Sequence, residues 1–277
     1  MDIDDISIQN NSRIQRVFGS KKADDKIMSL FITAGYPDLE STADLILGFE
    51  KNGADLIELG MPFSDPLADG PTIQYANNVA IENGITMDKI FGIVEQIRAK
   101  SDIPIILMGY INPVLRYGVE RFCKRASGAG VDGLIIPDAP VEESTIIAEA
   151  AKNEHLNLIY LVAPNSSDKR MQLVDEHSSG FVYCVSVTGV TGARSGDEVA
   201  ASVKRFIHRV TENVTKNPKL VGFGIKNYDD AQIISKEVDG FIVGSALIDT
   251  IRNNYPAEGW KKAVFDFVHK LKHGIVN

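Results

Sequence analysis

The 277-residue chain is short of the features that mark secreted, membrane-bound or nucleic-acid-binding proteins. It has only two cysteines, Cys123 and Cys184, with no CxxC pair and no Cys/His cluster. That excludes a disulfide scaffold and a zinc-finger site, and predicts two reduced, structural thiols. No apolar run reaches the ~18 residues of a membrane span. The opening MDIDDISIQN is acidic where a secretory or transit leader is basic, so the cytoplasm is the expected compartment. Positive charge is scarce: 29 Lys and Arg face 37 Asp and Glu, a formal net charge of -8. Neither nucleic acid nor an anionic membrane finds a basic face here, and an anionic small molecule has to be held by a local device. No linker, low-complexity segment or short repeat divides the chain, which predicts a single domain over 1–277.

What the chain does have is alternation. Short apolar or β-branched runs recur as IMSLFITAG (27–35), ADLIELG (54–60), IPIILMGY (103–110), VDGLIIPD (131–138), LNLIYLVAP (156–164), GFVYCVSV (180–187), KLVGFG (219–224) and DGFIVGS (239–245). Amphipathic segments with helix signals lie between them, such as DLESTADLILGFEKNG (38–53), VEESTIIAEAAKN (141–153) and NYDDAQIISKEV (227–238). Unbroken apolar strands alternating with helices imply parallel pairing with both sheet faces covered. Eight such strands predict an α/β fold closed into a (β/α)8 TIM barrel. A doubly wound open sheet is the alternative, but no GxGxxG follows the first run. Extra helices are expected in the N-terminal segment, where SRIQRVFGS would cap the barrel bottom, after the second strand, with Thr86 as an N-cap, and after the eighth strand.

Carboxylates concentrate in ELGMPFSDPLADGP (58–71). In a strand, Glu58 shares a face with Leu56 and Gly60 and is opposed to Ile57 and Leu59. It therefore points into the barrel or into the helix layer. Both are poor solvents for a charge, and burial there raises a carboxyl pKa and prepares the group to carry a proton. Glu58 is two residues from the C-terminal strand end, where barrel enzymes gather catalytic groups. The competing reading is a Glu paired with a buried Lys or Arg. Asp65 and Asp69 lie in a loop stiffened by Pro62, Pro66 and Pro71, where a turn or capping role competes evenly with a functional one.

The last two units carry GFGI (222–225) and VGSALI (243–248), placed where barrel enzymes build a phosphate cradle from glycine-rich loops and a helix N-terminus. Simple tight turns are the alternative. TGVTGARSG (188–196), rich in glycine, reads as a lid or as an ordinary surface connection.

In order along the chain, FITAGYPD, GADLIELGMPFSDPLADGPTIQ, LMGYINPVLRYG, GLIIPDAPVEES, APNSSDKR, YCVSVTGVTGAR, VGFGI and IVGSALI resemble the alpha subunit of tryptophan synthase, from residue 31 to 248. The resemblance implies a barrel lyase of L-tryptophan biosynthesis that cleaves indole-3-glycerol phosphate by a retro-aldol reaction to indole and glyceraldehyde 3-phosphate, with no cofactor and no metal. It implies Glu58 and Asp69 as the catalytic pair. Phe31, Met108, Tyr110, Ile135, Leu161, Tyr183 and Thr191 would surround the indole, and Gly192, Phe223, Gly224, Gly244 and Ser245 would hold the phosphate. The implied partner is a pyridoxal-phosphate-dependent beta subunit in an alpha2beta2 tetramer, docked on the rim made by 62–71 and 111–118. Asp138 is expected to be a structural group or part of that rim. A stand-alone indole-3-glycerol-phosphate lyase and a mainly binding or allosteric subunit are the alternatives.

Overall fold

All strand pairs run parallel in the computed structural model, which describes residues 12–21, 25–185, 196–222 and 224–274. The strands are β1 (Ile27–Thr33), β2 (Leu56–Gly60), β3 (Ile105–Met108), β4 (Gly133–Ile135), β5 (Asn157–Leu158), β6 (Leu161–Val162), β7 (Val182–Val185), β8 (Lys219–Gly222) and β9 (Gly240–Val243). Their order in the sheet is β5-β4-β3-β2-β1-β9-β8-β7-β6. The two outermost strands are halves of the single run LNLIYLV. On one side the Ile159 amide donates to the Leu134 carbonyl (3.0 Å), and on the other the Tyr183 amide donates to the Tyr160 carbonyl (3.0 Å). The run hands its hydrogen bonds from β4 to β7 midway, so the sheet closes on itself as a (β/α)8 barrel. Because β5 pairs with β4 and β6 with β7, regular pairing to both sides never falls on one residue, and the fifth predicted strand appears as two.

Period-2 alternation divides the barrel into layers. Ile27, Leu56, Ile106, Ile135, Leu220 and Ile242 fill the lumen. Their sequence neighbours Met28, Ile57, Ile105, Leu107 and Leu134 face outward and pack under the helices. On the other half, Val162, Val182, Cys184 and Val221 pack with Met171, Val174, Phe206 and Val210. Both cysteines are free and buried, Cys123 in one outer cluster and Cys184 in the other.

The N-terminal helix Arg13–Ser20 closes the lower mouth. Ser12 caps it by accepting from the Gln15 amide (3.2 Å). Ile14 is 0% exposed inside the lumen cluster, and the Phe18 ring lies against Phe181 with 6.2 Å between centroids. Ion pairs pin both ends. Arg13 reaches Asp102 (3.0 Å) and Asp132 (3.1 Å), while Lys21 reaches Asp55 (2.7 Å). Asp132 is held from the barrel side as well, by Arg98 (2.7 Å) and the Ile105 amide (2.8 Å).

The expected extra helices are present. Two follow β2, Pro71–Glu82 and Met87–Arg98, the second capped by Thr86, and two follow β9, Ser245–Asn254 and Trp260–His273. A further pair, Ile111–Tyr117 and Val119–Ala129, follows β3. They separate at Gly118, whose φ of 90° is open to glycine and resisted by other residues.

Ile14→Ala is expected to cost about 2–5 kcal/mol, the range for emptying a fully buried aliphatic site. Urea unfolding monitored by circular dichroism measures it; an unchanged midpoint would show that the plug does not support the barrel.

Candidate active site

Glu58 is the middle residue of β2, aligned with Phe31 on β1 and Ile106 on β3, and is 0% exposed. The alternation that buries Leu56 in the lumen turns Glu58 inward as well. Its Oε1 accepts a hydrogen bond from the Ser29 hydroxyl (2.7 Å), and among the described residues Oε2 has no partner. Burial pushes the Glu58 pKa from 4.5 up to about 8, with the Ser29 bond pulling it back down. The group is therefore mostly protonated near neutrality and ionises just above it.

Asp69 lies in the loop between β2 and Pro71–Glu82. Its Oδ2 accepts from Asn77 Nδ2 (3.1 Å), and its backbone carbonyl accepts from Gln74 Nε2 (2.8 Å). Asn77 is itself nearly buried, and its Oδ1 accepts from the Thr33 hydroxyl (3.5 Å). The Tyr110 hydroxyl accepts from the Ala68 amide (2.9 Å) and hydrogen-bonds the Asp69 carboxyl. Partial burial raises the Asp69 pKa, opposed by its bonds to Asn77 and Tyr110. The capping reading of Asp69 does not fit, because Gly70 occupies the N-cap of Pro71–Glu82 and the Asp69 carboxyl is turned to Asn77. Asp65 is exposed and accepts from Ser64 (2.6 Å).

A cavity of about 590 Å³ opens at the C-terminal strand ends. Phe31, Met108, Tyr183 and Ile73 supply apolar wall, and Ala68, Asp69 and Gly70 form one lip. The opposite lip is Gly222, Gly224, Gly244 and Ser245, with Lys226 beside it. Glycine leaves room for a ring at two of these strand ends. A Cβ on Gly60 would come within 2.7 Å of the Phe31 ring, and one on Gly222 within 2.8 Å of the Tyr183 hydroxyl. Gly244 is the N-cap of Ser245–Asn254, so the amides of that helix's first turn face the lip, with the positive end of its dipole. Burial and the charges of Glu58 and Asp69 hold the Tyr183 phenol well above its ordinary pKa, so one ring couples electrostatically to both carboxyls.

Of the residues singled out from sequence, Phe31, Asp69, Met108, Tyr183, Gly224, Gly244 and Ser245 line the cavity. Glu58, Ile135 and Leu161 are not on its surface; Ile135 and Leu161 belong to the lumen cluster. Tyr110 holds the loop, its ring 5.5 Å from that of Phe63. Asp138 accepts from the Ile111 amide (2.9 Å) and starts that helix. Thr191, Gly192 and Phe223, and the expected lid 188–196 up to Ser195, lie outside the described residues. Sequence reading missed Lys226, although it directly follows GFGI, and it missed Ser29, one of two hydroxyls flanking Phe31 on the same face of IMSLFIT, with Thr33 the other. A groove of about 670 Å³ between Asp88, Tyr117, Arg121 and Arg125 lies away from these strand ends and shares no residue with the cavity. Among the described residues no metal-binding cluster of His, Cys, Asp and Glu occurs, and no helix is long and apolar enough to cross a membrane.

Fold and site together define a class: a (β/α)8-barrel enzyme with two carboxyls of raised pKa, one on its second strand and one in the loop that follows. The family model for the tryptophan synthase alpha chain matches residues 18–275. A tryptophan synthase alpha chain from Geotalea uraniireducens is 46% identical over 265 residues, 95% of this chain and 98% of the relative. One from Thermoanaerobacter sp. is 44% identical over 262 residues, 94% of this chain and 98% of the relative. The crystal structure of tryptophan synthase subunit alpha from Legionella pneumophila superposes with a TM-score of 0.86 at 36% identity, covering 96% of this chain and 98% of that one. The chain belongs to the tryptophan synthase alpha chain family, carbon–carbon lyases that cleave indole-3-glycerol phosphate to indole and glyceraldehyde 3-phosphate.

A carboxyl whose folded pKa lies above its unfolded value stabilises the fold while it is protonated. For Glu58 that contribution is complete below pH 4.5 and is lost as the pH rises to about 8. The melting temperature of the wild type is therefore expected to fall relative to that of Glu58→Gln across this window. Parallel curves in a calorimetric pH series would show that Glu58 is not held in this way.

Proposed function

We propose that Glu58 is the acid–base group of the cleavage and Asp69 the carboxylate that receives the indole N–H. The observation that carries this reading is Glu58 Oε2, a fully buried carboxyl oxygen with no partner among the described residues. The bond between indole C3 and C3′ of the glycerol chain breaks when the C3′ hydroxyl loses its proton and the electron pair returns to the ring. Indole C3 must be protonated, which makes the ring nitrogen cationic before the bond breaks. A carboxyl near its midpoint can take the hydroxyl proton and supply the one at C3. Asp69, held by Asn77 and Tyr110, is oriented to accept from the ring N–H and stabilise the charge that develops there. The two environments differ, Glu58 fully buried with one donor and Asp69 half-buried beside Asn77 and Tyr110, which is how one site can keep two carboxyls in different states at one pH.

Phe31, Met108 and Tyr183 would form the indole slot, with Ile135 and Leu161 supporting it and Tyr110 fixing the loop. Gly224, Gly244 and Ser245 would take the substrate phosphate through backbone amides, and Lys226 supplies the cation beside them. Thr191, Gly192 and Phe223 enter this proposal on the resemblance alone. The reaction needs no cofactor on this chain. The partner in this reading is a pyridoxal-phosphate-dependent beta chain in an alpha2beta2 complex, in the cytoplasm. The rim supports that reading: Leu67 is 96% exposed and Leu115 45% exposed, on the loop and the helix that flank the mouth.

Glu58→Gln and Asp69→Asn are each expected to lower the rate of indole release by about 10²-fold or more at unchanged folded fraction. Rate and melting temperature measured together decide this, since a loss confined to stability would return Asp69 to a turn role. Leu67→Asp and Asn112→Ala are expected to weaken stimulation by a beta subunit about tenfold, the effect of losing about 1.4 kcal/mol of binding. A chain that releases indole rapidly and gains nothing from the partner would be a stand-alone lyase.

A further inference from the structure

Ser29 is completely buried, and its hydroxyl has to place its proton inside the lumen. A serine in a helix can use the carbonyl one turn back, as Ser235 does with Ala231 (2.6 Å). On β1 that outlet is closed, because β1 pairs on both sides, with Leu56 opposite Ser29 on β2 and Ile242 opposite it on β9. The acceptor it finds is Glu58 Oε1 (2.7 Å), on the diagonal, since Glu58 itself is aligned with Phe31. The contact therefore leaves the two oxygens of Glu58 unequal. Oε1 is occupied by a donor from beneath, and Oε2 has no partner among the described residues.

We propose that Ser29 is a positioning residue for the proton transfer: by occupying Oε1 it reserves Oε2 as the oxygen that takes up and gives back the proton. The proposal rests on the reading of Glu58 as the acid–base group. A proton on Oε1 would force the Ser29 hydroxyl to turn around and accept, stranding its own hydrogen in an apolar lumen, which is costly. A proton on Oε2 leaves the Ser29 bond intact. The bond also fixes the rotation of the carboxyl, so the same oxygen is left free through both halves of the transfer.

The surroundings leave this hydroxyl as the main local control on Glu58. Lumen-facing neighbours on β1 and β3 are Phe31, Ile106 and Met108, none of which titrates. From β7 the titratable group is Tyr183, which faces Glu58 as a neutral phenol, and Asp69 acts on the same phenol. Glu58 has no cationic partner among the described residues, and burial is opposed only by the Ser29 bond. Donation to Oε1 favours the ionised form, so its loss raises the pKa further.

The test compares Ser29→Ala, Ser29→Thr and Glu58→Gln in the full chain. Glu58 is titrated through the infrared carboxyl band that is present in wild type and missing in Glu58→Gln, and the rate of indole release is followed against pH. Ser29→Ala is expected to move both the infrared titration and the rising limb of the rate profile upward by about one to two pH units, the equivalent of one bond to a charged group. Its kcat should fall on the plateau with little change in KM, and Ser29→Thr, which restores a donor, should return the limb toward wild type. Circular dichroism confirms that each variant is folded. A folded Ser29→Ala with wild-type titration and limb overturns the proposal, as does a loss confined to melting temperature. Full activity of Glu58→Gln would instead overturn the reading of Glu58, while the infrared titration would still report whether Ser29 controls the group.

Discussion

The proposed chemistry follows from placing one carboxyl in an apolar lumen. A strand of alternating faces cannot point Leu56 inward without also pointing Glu58 inward, so the charge is buried by the same periodicity that builds the core. Burial makes the ionised state expensive and brings its midpoint to about 8, and a single hydroxyl from the adjacent strand moderates it. A paired Glu58 would be a fixed anion. With Ser29 as its one donor among the described residues, it is a group that changes state.

Asp69 shows the opposite solution on the same loop. It is half-buried, and a relay from Thr33 through Asn77 together with the Tyr110 hydroxyl surrounds its carboxyl with donors. The glycines at the strand ends serve the same layout. Gly60 and Gly222 leave the space that the Phe31 and Tyr183 rings fill, so the apolar walls depend on missing side chains as much as on present ones.

The barrel was legible in the sequence because eight apolar runs alternate with helix signals, and the plug was legible because SRIQRVFGS has the caps and apolar spacing of a helix. The split of the fifth strand was not, since a change of hydrogen-bonding partner in mid-strand leaves LNLIYLV unaltered as a pattern. Glu58 stood out as a charge within an apolar run. Its partner did not, because Ser29 and Glu58 are adjacent only through the β1–β2 register, and nothing local in IMSLFIT distinguishes a hydroxyl that serves a carboxyl from one that serves the backbone. Ile135 and Leu161 illustrate the reverse: facing the lumen is visible in the pattern, but which lumen residues reach the cavity is not, and these two pack in the lumen cluster although their register partners Met108 and Tyr183 line it.

The N-terminal helix closes one end of the tube. With Ile14 and Phe18 filling the lower end and ion pairs at Asp132 and Asp55 fastening the stopper, no product leaves through the bottom of the barrel while this helix stays in place. Exchange with the surroundings is thereby shifted to the C-terminal strand ends, where the cavity opens, and a protein seated there would sit across it.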